Sequence, residues 1–121
     1  MNYKLLVDTA MLAGEIMLVS GAETYRVEDT MSRILKTSGL EKAETFVTPT
    51  GIFLMLGDTS IDNITVIKRI ETRITNLSNI FEVNNISRAF CNNEISLQEA
   101  YDKLKNINQT KQYNITIYNI C

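Results

Sequence analysis

Residues 20–30 read SGAETYRVEDT and place Glu23, Glu28 and Asp29 around Arg26. Carboxylates beside a fixed cation are the parts of a polar site, in which one acid can serve as a general base while another stays charged. Glu15 lies just upstream. A chain reversal at Ser20-Gly21 would carry it toward Glu23 or Arg26. The chemistry open to such a cluster is hydrolysis of a small peptide or ester, with Glu23 or Glu28 as base. Plainer roles compete for the same residues. Ser20 and Glu23 have the spacing of a capping box, in which hydroxyl and carboxylate satisfy the first amides of a helix. Asp29 and Arg33 stand four apart and suit an exposed ion pair worth about 0.2–0.5 kcal/mol. A second polar stretch, TPTG at 48–51, offers the hydroxyls of Thr48 and Thr50 but also reads as a simple turn. Arg69 and Arg73 bracket a later junction and can meet acids or water.

Composition narrows the chemistry. The chain has 121 residues, 12 basic and 14 acidic, for a net charge of -2. No basic cluster occurs, which argues against nucleic acid as a partner. Histidine is absent, so the commonest general base and transition-metal ligand is missing. Cys91 and Cys121 are too few and too far apart for a zinc site. No metal-ligand spacing, phosphate loop or nucleophile-elbow pattern appears, and no cofactor is implied. The amino-terminal stretch is not a signal peptide, because Asp8 and Glu15 interrupt its apolar run. No run approaches the roughly 20 apolar residues that span a bilayer, so the chain as given reads as soluble.

The elements that must position these residues follow from periodicity. Leu5, Leu6, Thr9, Leu12, Ala13, Ile16 and Met17 recur at helical steps and predict a helix over 3–19. After Ser20-Gly21 the period resumes through Val27, Met31, Ile34 and Leu35 and ends near Gly39, a residue suited to the left-handed position after a helix. ETFVT and IFLML flank the TPTG turn and predict a hairpin of 44–48 and 52–57, with 63–70 as a third strand. The unbroken IFLML suggests a central strand buried on both faces. A helix is expected from Asn76 to about Phe90. Another is opened by the Ser96/Glu99 capping box, with Leu97, Ala100, Tyr101, Leu104 and Ile107 on its core face. YNITIYNIC alternates and could form a short strand. The expected fold is α+β: two N-terminal helices, a three-stranded antiparallel meander and two C-terminal helices, with the helices layered on one face of the sheet.

Four blocks, AGEIMLVSGAETYRVEDTM, FVTPTGIFLML, the RI..RITNLSNIFEVNNISRAF segment and ISLQEAYDKL, resemble in order and spacing the amino-terminal region of the threonine/serine exporter (ThrE) family. The resemblance covers residues 5 to 107. It implies a soluble cytoplasmic domain over 1–110 and a tail over 111–121 leading to transmembrane helices absent from this chain. The parent would sit in the cell membrane and export threonine, serine or a related small polar metabolite such as a dicarboxylate. This domain would gate, assist or assemble that machinery. Its partners would be the transmembrane exporter region of the same or another chain and a small polar metabolite; a separate reading makes the chain a pure assembly module that dimerises through the IFLML sheet or the first helix. A hydrolase-like activity has also been attributed to such regions, without an agreed reaction. Gly14, Glu15, Ser20, Gly21, Glu23, Arg26 and Glu28 match the first block, and Thr48, Pro49, Thr50 and Gly51 the second. Arg69, Asn76, Asn84 and Arg88 match the third. The resemblance implies binding roles for Glu15, Glu23, Arg26, Glu28, Thr48, Thr50, Arg69 and Arg88. Arginines would hold a cargo carboxylate, and acids and hydroxyls an ammonium group.

Overall fold

The computed structural model describes residues 1–71 and 73–107. Its elements run α1 (Tyr3–Val19), α2 (Thr24–Lys36), β1 (Lys42–Thr48), β2 (Gly51–Asp58), β3 (Ile61–Arg69), α3 (Leu77–Cys91) and α4 (97–107). The α+β order expected from periodicity is the order observed. The possible strand at YNITIYNIC lies outside the described residues.

α1 is the central element and packs against α2, α3 and β2. Ten of its residues are buried, from Leu6 to Leu18. Asn2 caps its first turn, the side-chain oxygen accepting from the Leu5 amide at 3.0 Å. The buried Thr9 hydroxyl donates to the Leu5 carbonyl at 2.7 Å, so no polar group is stranded beside the core. Despite this burial, no described helix is long and apolar enough to cross a membrane.

α1 and α2 meet closely at Gly14, where a Cβ would collide with the Met31 side chain. The connection between them turns on Gly21, whose φ of 98° lies in the region that side chains disfavour. A Cβ there would also stand 3.1 Å from the Ile74 carbonyl oxygen, because the strand-to-helix connection lies against this corner. Two backbone hydrogen bonds secure that contact: Ile74 N–H to Val19 O at 2.7 Å and Asn76 N–H to Ser20 O at 2.9 Å.

The capping-box expectation for Ser20 and Glu23 is corrected here. Ser20 closes α1: its amide donates to the Ile16 carbonyl, and the Gly21 amide to the Leu18 carbonyl. Glu23 is itself the residue before α2 and makes no side-chain cap hydrogen bond. The spacing fits the template, but the amides of residues 20–22 are bonded to carbonyls of α1, so the second helix begins later. The Ser96/Glu99 pair behaves differently: the Ser96 hydroxyl accepts from the Glu99 amide at 3.1 Å and opens α4.

The strands form an antiparallel sheet in the order β1-β2-β3. Thr48 pairs with Gly51 across a two-residue turn. Neither Pro49 nor Thr50 has positive φ, so proline's fixed φ, rather than a glycine, shapes the bend. Registered rows separate the two faces. Thr45-Leu54-Val66 and Val47-Ile52-Lys68 point inward, and Phe46-Phe53-Ile67 and Glu44-Met55-Thr65 point outward. Ile52, Leu54 and Leu56 are buried, whereas Phe53 and Met55 are only half-buried. This corrects the expectation that β2 is buried on both faces. α1 packs against β2 and α2 against β1, whereas Phe46 and Ile67 on the outer face are 62% and 75% exposed.

Candidate functional site

The eight residues singled out in the sequence fall into different places. Glu15 ion-pairs with Lys68 of β3 at 2.7 Å and so ties α1 to the inner face of the sheet. Its expected partner, Arg26, makes no ion pair among the described residues. Glu28 reaches from α2 to the edge strand. Its carboxylate accepts from the Val47 amide at 2.9 Å, and its backbone carbonyl accepts from the Thr45 hydroxyl at 3.4 Å. β1 pairs on one side only, so this carboxylate satisfies an outward amide that would otherwise face water or a foreign strand. Replacing Glu28 with alanine should cost about 1.5–3 kcal/mol in urea unfolding, the usual worth of a hydrogen bond to a charged group. Glutamine, which keeps an acceptor, should recover part of it.

Thr48 and Thr50 serve the hairpin. The Thr48 hydroxyl accepts from the Thr50 amide at 3.3 Å and donates to the Gly51 carbonyl at 3.4 Å. The Thr50 carbonyl receives the Ile70 amide at 2.9 Å, which fastens the bend to the exit of β3. Arg69 pairs with Gly51 at that end of the sheet. Arg69 and Arg73 are exposed and in no ion pair among the described residues. Glu23 is exposed at the start of α2.

Arg26 and Arg88 are brought together. A cleft of about 400 Å³ opens between α2 and α3. From α2 it is lined by Tyr25, Arg26, Asp29, Thr30 and Arg33, and from α3 and its cap by Asn84, Ser87, Arg88, Cys91 and Asn92. These positions make one polar stripe per helix, each at steps of three and four. The stripes flank the buried faces: Val27, Met31 and Ile34 on α2, and Ile80, Val83 and Phe90 on α3. Packing the apolar faces therefore sets the polar stripes opposite each other. Thr30 and Ser87 are buried, whereas Arg26, Arg33 and Arg88 are exposed. The arrangement is not the expected one. Arg26 faces α3, and no residue of the Thr48–Gly51 bend lines the cleft.

Charge in the cleft is unbalanced. Arg33 is paired with Asp29, Nε to carboxylate at 3.1 Å. Arg26 and Arg88 have no such partner among the described residues. Hydrogen bonding to Tyr25, and more weakly the charge of Glu23, raise the Arg26 pKa above its ordinary value. Like any arginine side chain, this guanidinium is a permanent cation. The Cys91 thiol donates to the Arg33 carbonyl at 3.7 Å and links the two helices. Partial burial pushes the thiol pKa up, against smaller opposite effects from a Ser87 hydrogen bond and the Arg33 charge. Among the described residues no cluster of Cys, Asp and Glu could hold a metal ion.

A family model described as "Putative threonine/serine exporter" (ThrE) matches residues 8–121, nearly the whole chain. The chain belongs to the ThrE family. No curated protein and no solved structure matches it. Within this ThrE chain the motif residues divide by role. Glu15, Glu28, Thr48 and Thr50 hold elements together, while Arg26, Asn84 and Arg88 line the cleft. Sequence reasoning passed over Asp29 and Arg33 as a solvated pair and left Tyr25, Ser87 and Cys91 without a site. The signal that finds them is the repetition of polar residues at 26, 29, 30 and 33 and again at 84, 87, 88 and 91.

Proposed function

We propose that this chain is an accessory domain of a threonine/serine exporter, without catalysis of its own, which modulates transport from the cytoplasmic side of the membrane. Its partner is the membrane-spanning region, in the same chain or a second one. The observation that carries this reading is the α2–α3 cleft, which Arg26 and Arg88 both line and where neither forms an ion pair among the described residues. Of the two candidate bases, Glu28 is held at the edge strand by the Val47 amide, Glu23 is exposed at the start of α2, and neither lines the cleft. The cleft instead presents cations and neutral donors, which suit recognition of a charged group.

The test is threonine efflux from cells that carry the complete exporter with Arg26→Ala and Arg88→Ala together, at matched membrane abundance. A several-fold change in efflux rate is expected. Unchanged efflux overturns the regulatory reading. Hydrolytic turnover by the chain that disappears in Glu23→Gln would replace it with the enzymatic one.

A further inference from the structure

We propose that the α2–α3 cleft binds a small dianion, a compact metabolite bearing two carboxylates or a phosphate group, held between Arg26 and Arg88. This deepens the regulatory reading and rests on the cleft being the domain's functional surface.

The first argument is charge. Three arginines and one aspartate line the cleft, and the aspartate is engaged by Arg33 along α2. Arg26 and Arg88 form no ion pair among the described residues, in a chain whose net charge is -2. Like charges held near one another on rigid helices repel, and an anion between them removes the penalty. The beginning of α2 adds to the field, because Tyr25 and Arg26 lie in its first turn, the positive end of the helix.

The second argument is chemistry. A guanidinium presents a planar fork that fits a carboxylate or a phosphate through two parallel hydrogen bonds. Forks from two helices fit a ligand with two negative charges better than one with a single charge. Asn84 and Asn92 add neutral donors, and Thr30 and Ser87 add hydroxyls. Zwitterionic threonine carries no net charge, so its carboxylate can pair with one arginine but its ammonium leaves the net charge of the cleft unchanged.

The third argument is size. About 400 Å³ lies at the small end of metabolite sites, which run from about 300 to 1,000 Å³. That volume suits a small organic acid or phosphate, not a peptide or nucleic acid.

Isothermal titration of the 121-residue chain with malonate, inorganic phosphate and threonine tests the assignment. Malonate or phosphate should bind more tightly than threonine, and added salt should weaken binding. The stronger of the two identifies the ligand as a dicarboxylate or a phosphate. Arg26→Ala and Arg88→Ala should each weaken that binding about tenfold, equivalent to about 1.4 kcal/mol. Asp29→Asn should strengthen it, because Arg33 is released toward the cleft. Lys4→Ala, at an exposed ion pair of α1, should leave it unchanged. Circular dichroism keeps unfolded variants out of the comparison. Absence of dianion binding overturns the proposal, as does binding indifferent to both arginines. Threonine binding tighter than either dianion, or weakened binding in Asp29→Asn, also overturns it. These outcomes are separate from efflux, so a cleft that modulates transport without binding a dianion would be recognised.

Discussion

Replacing Leu54 with alanine is expected to lower the unfolding free energy by about 3 kcal/mol, within the range for deleting a buried leucine side chain. Leu54 is fully buried at the middle of the central strand, between Thr45 and Val66 on the inner face. Its side chain enters the layer between the sheet and the helices. Truncation removes the transfer free energy and leaves a cavity that three hydrogen-bonded strands cannot easily collapse around. A domain of this size has about 5–15 kcal/mol in all, so the loss is a large part of the total. Urea unfolding measures it as a lowered midpoint with unchanged slope. The neighbouring Met55→Ala is the control. Met55 is half-buried on the outer face, and its truncation should cost only about 1 kcal/mol. Equal losses at the two positions would contradict the one-sided burial of β2.

That contrast shows what a one-dimensional pattern can and cannot say. IFLML has no polar residue, so alternation cannot tell a strand buried twice from a strand buried once. The outer face is decided by Phe46 and Ile67, which come from β1 and β3 and meet Phe53 only through the register. The helices were more legible. α1 was expected over 3–19 and spans Tyr3–Val19, because its buried residues recur at steps of three and four. The Ser20/Glu23 box misled for a local reason: the chain leaves α1 with its amides already bonded to helix carbonyls. Ser96/Glu99 has the same spacing but no such competitor.

The site was half legible. Arg26 and Arg88 were both named, but through separate motif blocks, and Arg26 was expected beside Glu15 and the Thr48–Gly51 bend. Their proximity depends on α3 crossing back over α2, and that crossing is set by apolar residues such as Met31, Ile34, Val83 and Phe90. Contacts such as that of Cys91 with Arg33, 58 positions apart, are not written in either stripe alone. Asp29 and Arg33 were correctly expected to pair, and they do so at 3.1 Å. What the pair does for the cleft, removing one of three cations from play, appears only once the stripes face each other.

The α1–α2 contact gives the second large effect. Gly14→Leu is expected to destabilise the chain by about 3 kcal/mol, at the upper end of what overpacking costs. Gly14 lies inside α1, where exchange of glycine for a better helix former gains about 1 kcal/mol of propensity. The gain is outweighed because a Cβ at this position overlaps the Met31 side chain, which is itself fully buried. Methionine is adaptable and can swing away from a single methyl group, so Gly14→Ala should cost much less than leucine. Met31→Ala alone should cost about 2–4 kcal/mol by opening a cavity. Combined with Gly14→Leu, it removes the atoms that leucine displaces. The double variant should therefore be more stable than the sum of the single losses predicts, by at least about 1 kcal/mol. Strict additivity in urea unfolding would mean that the two side chains do not compete for one volume, and the close approach of α1 and α2 at Gly14 would have to be abandoned. The same helix pair carries the α2 stripe, so Gly14→Leu should also disturb the position of Arg26 relative to Arg88. Restoring the volume with Met31→Ala should restore that geometry, and with it whatever affinity the cleft has for malonate or phosphate.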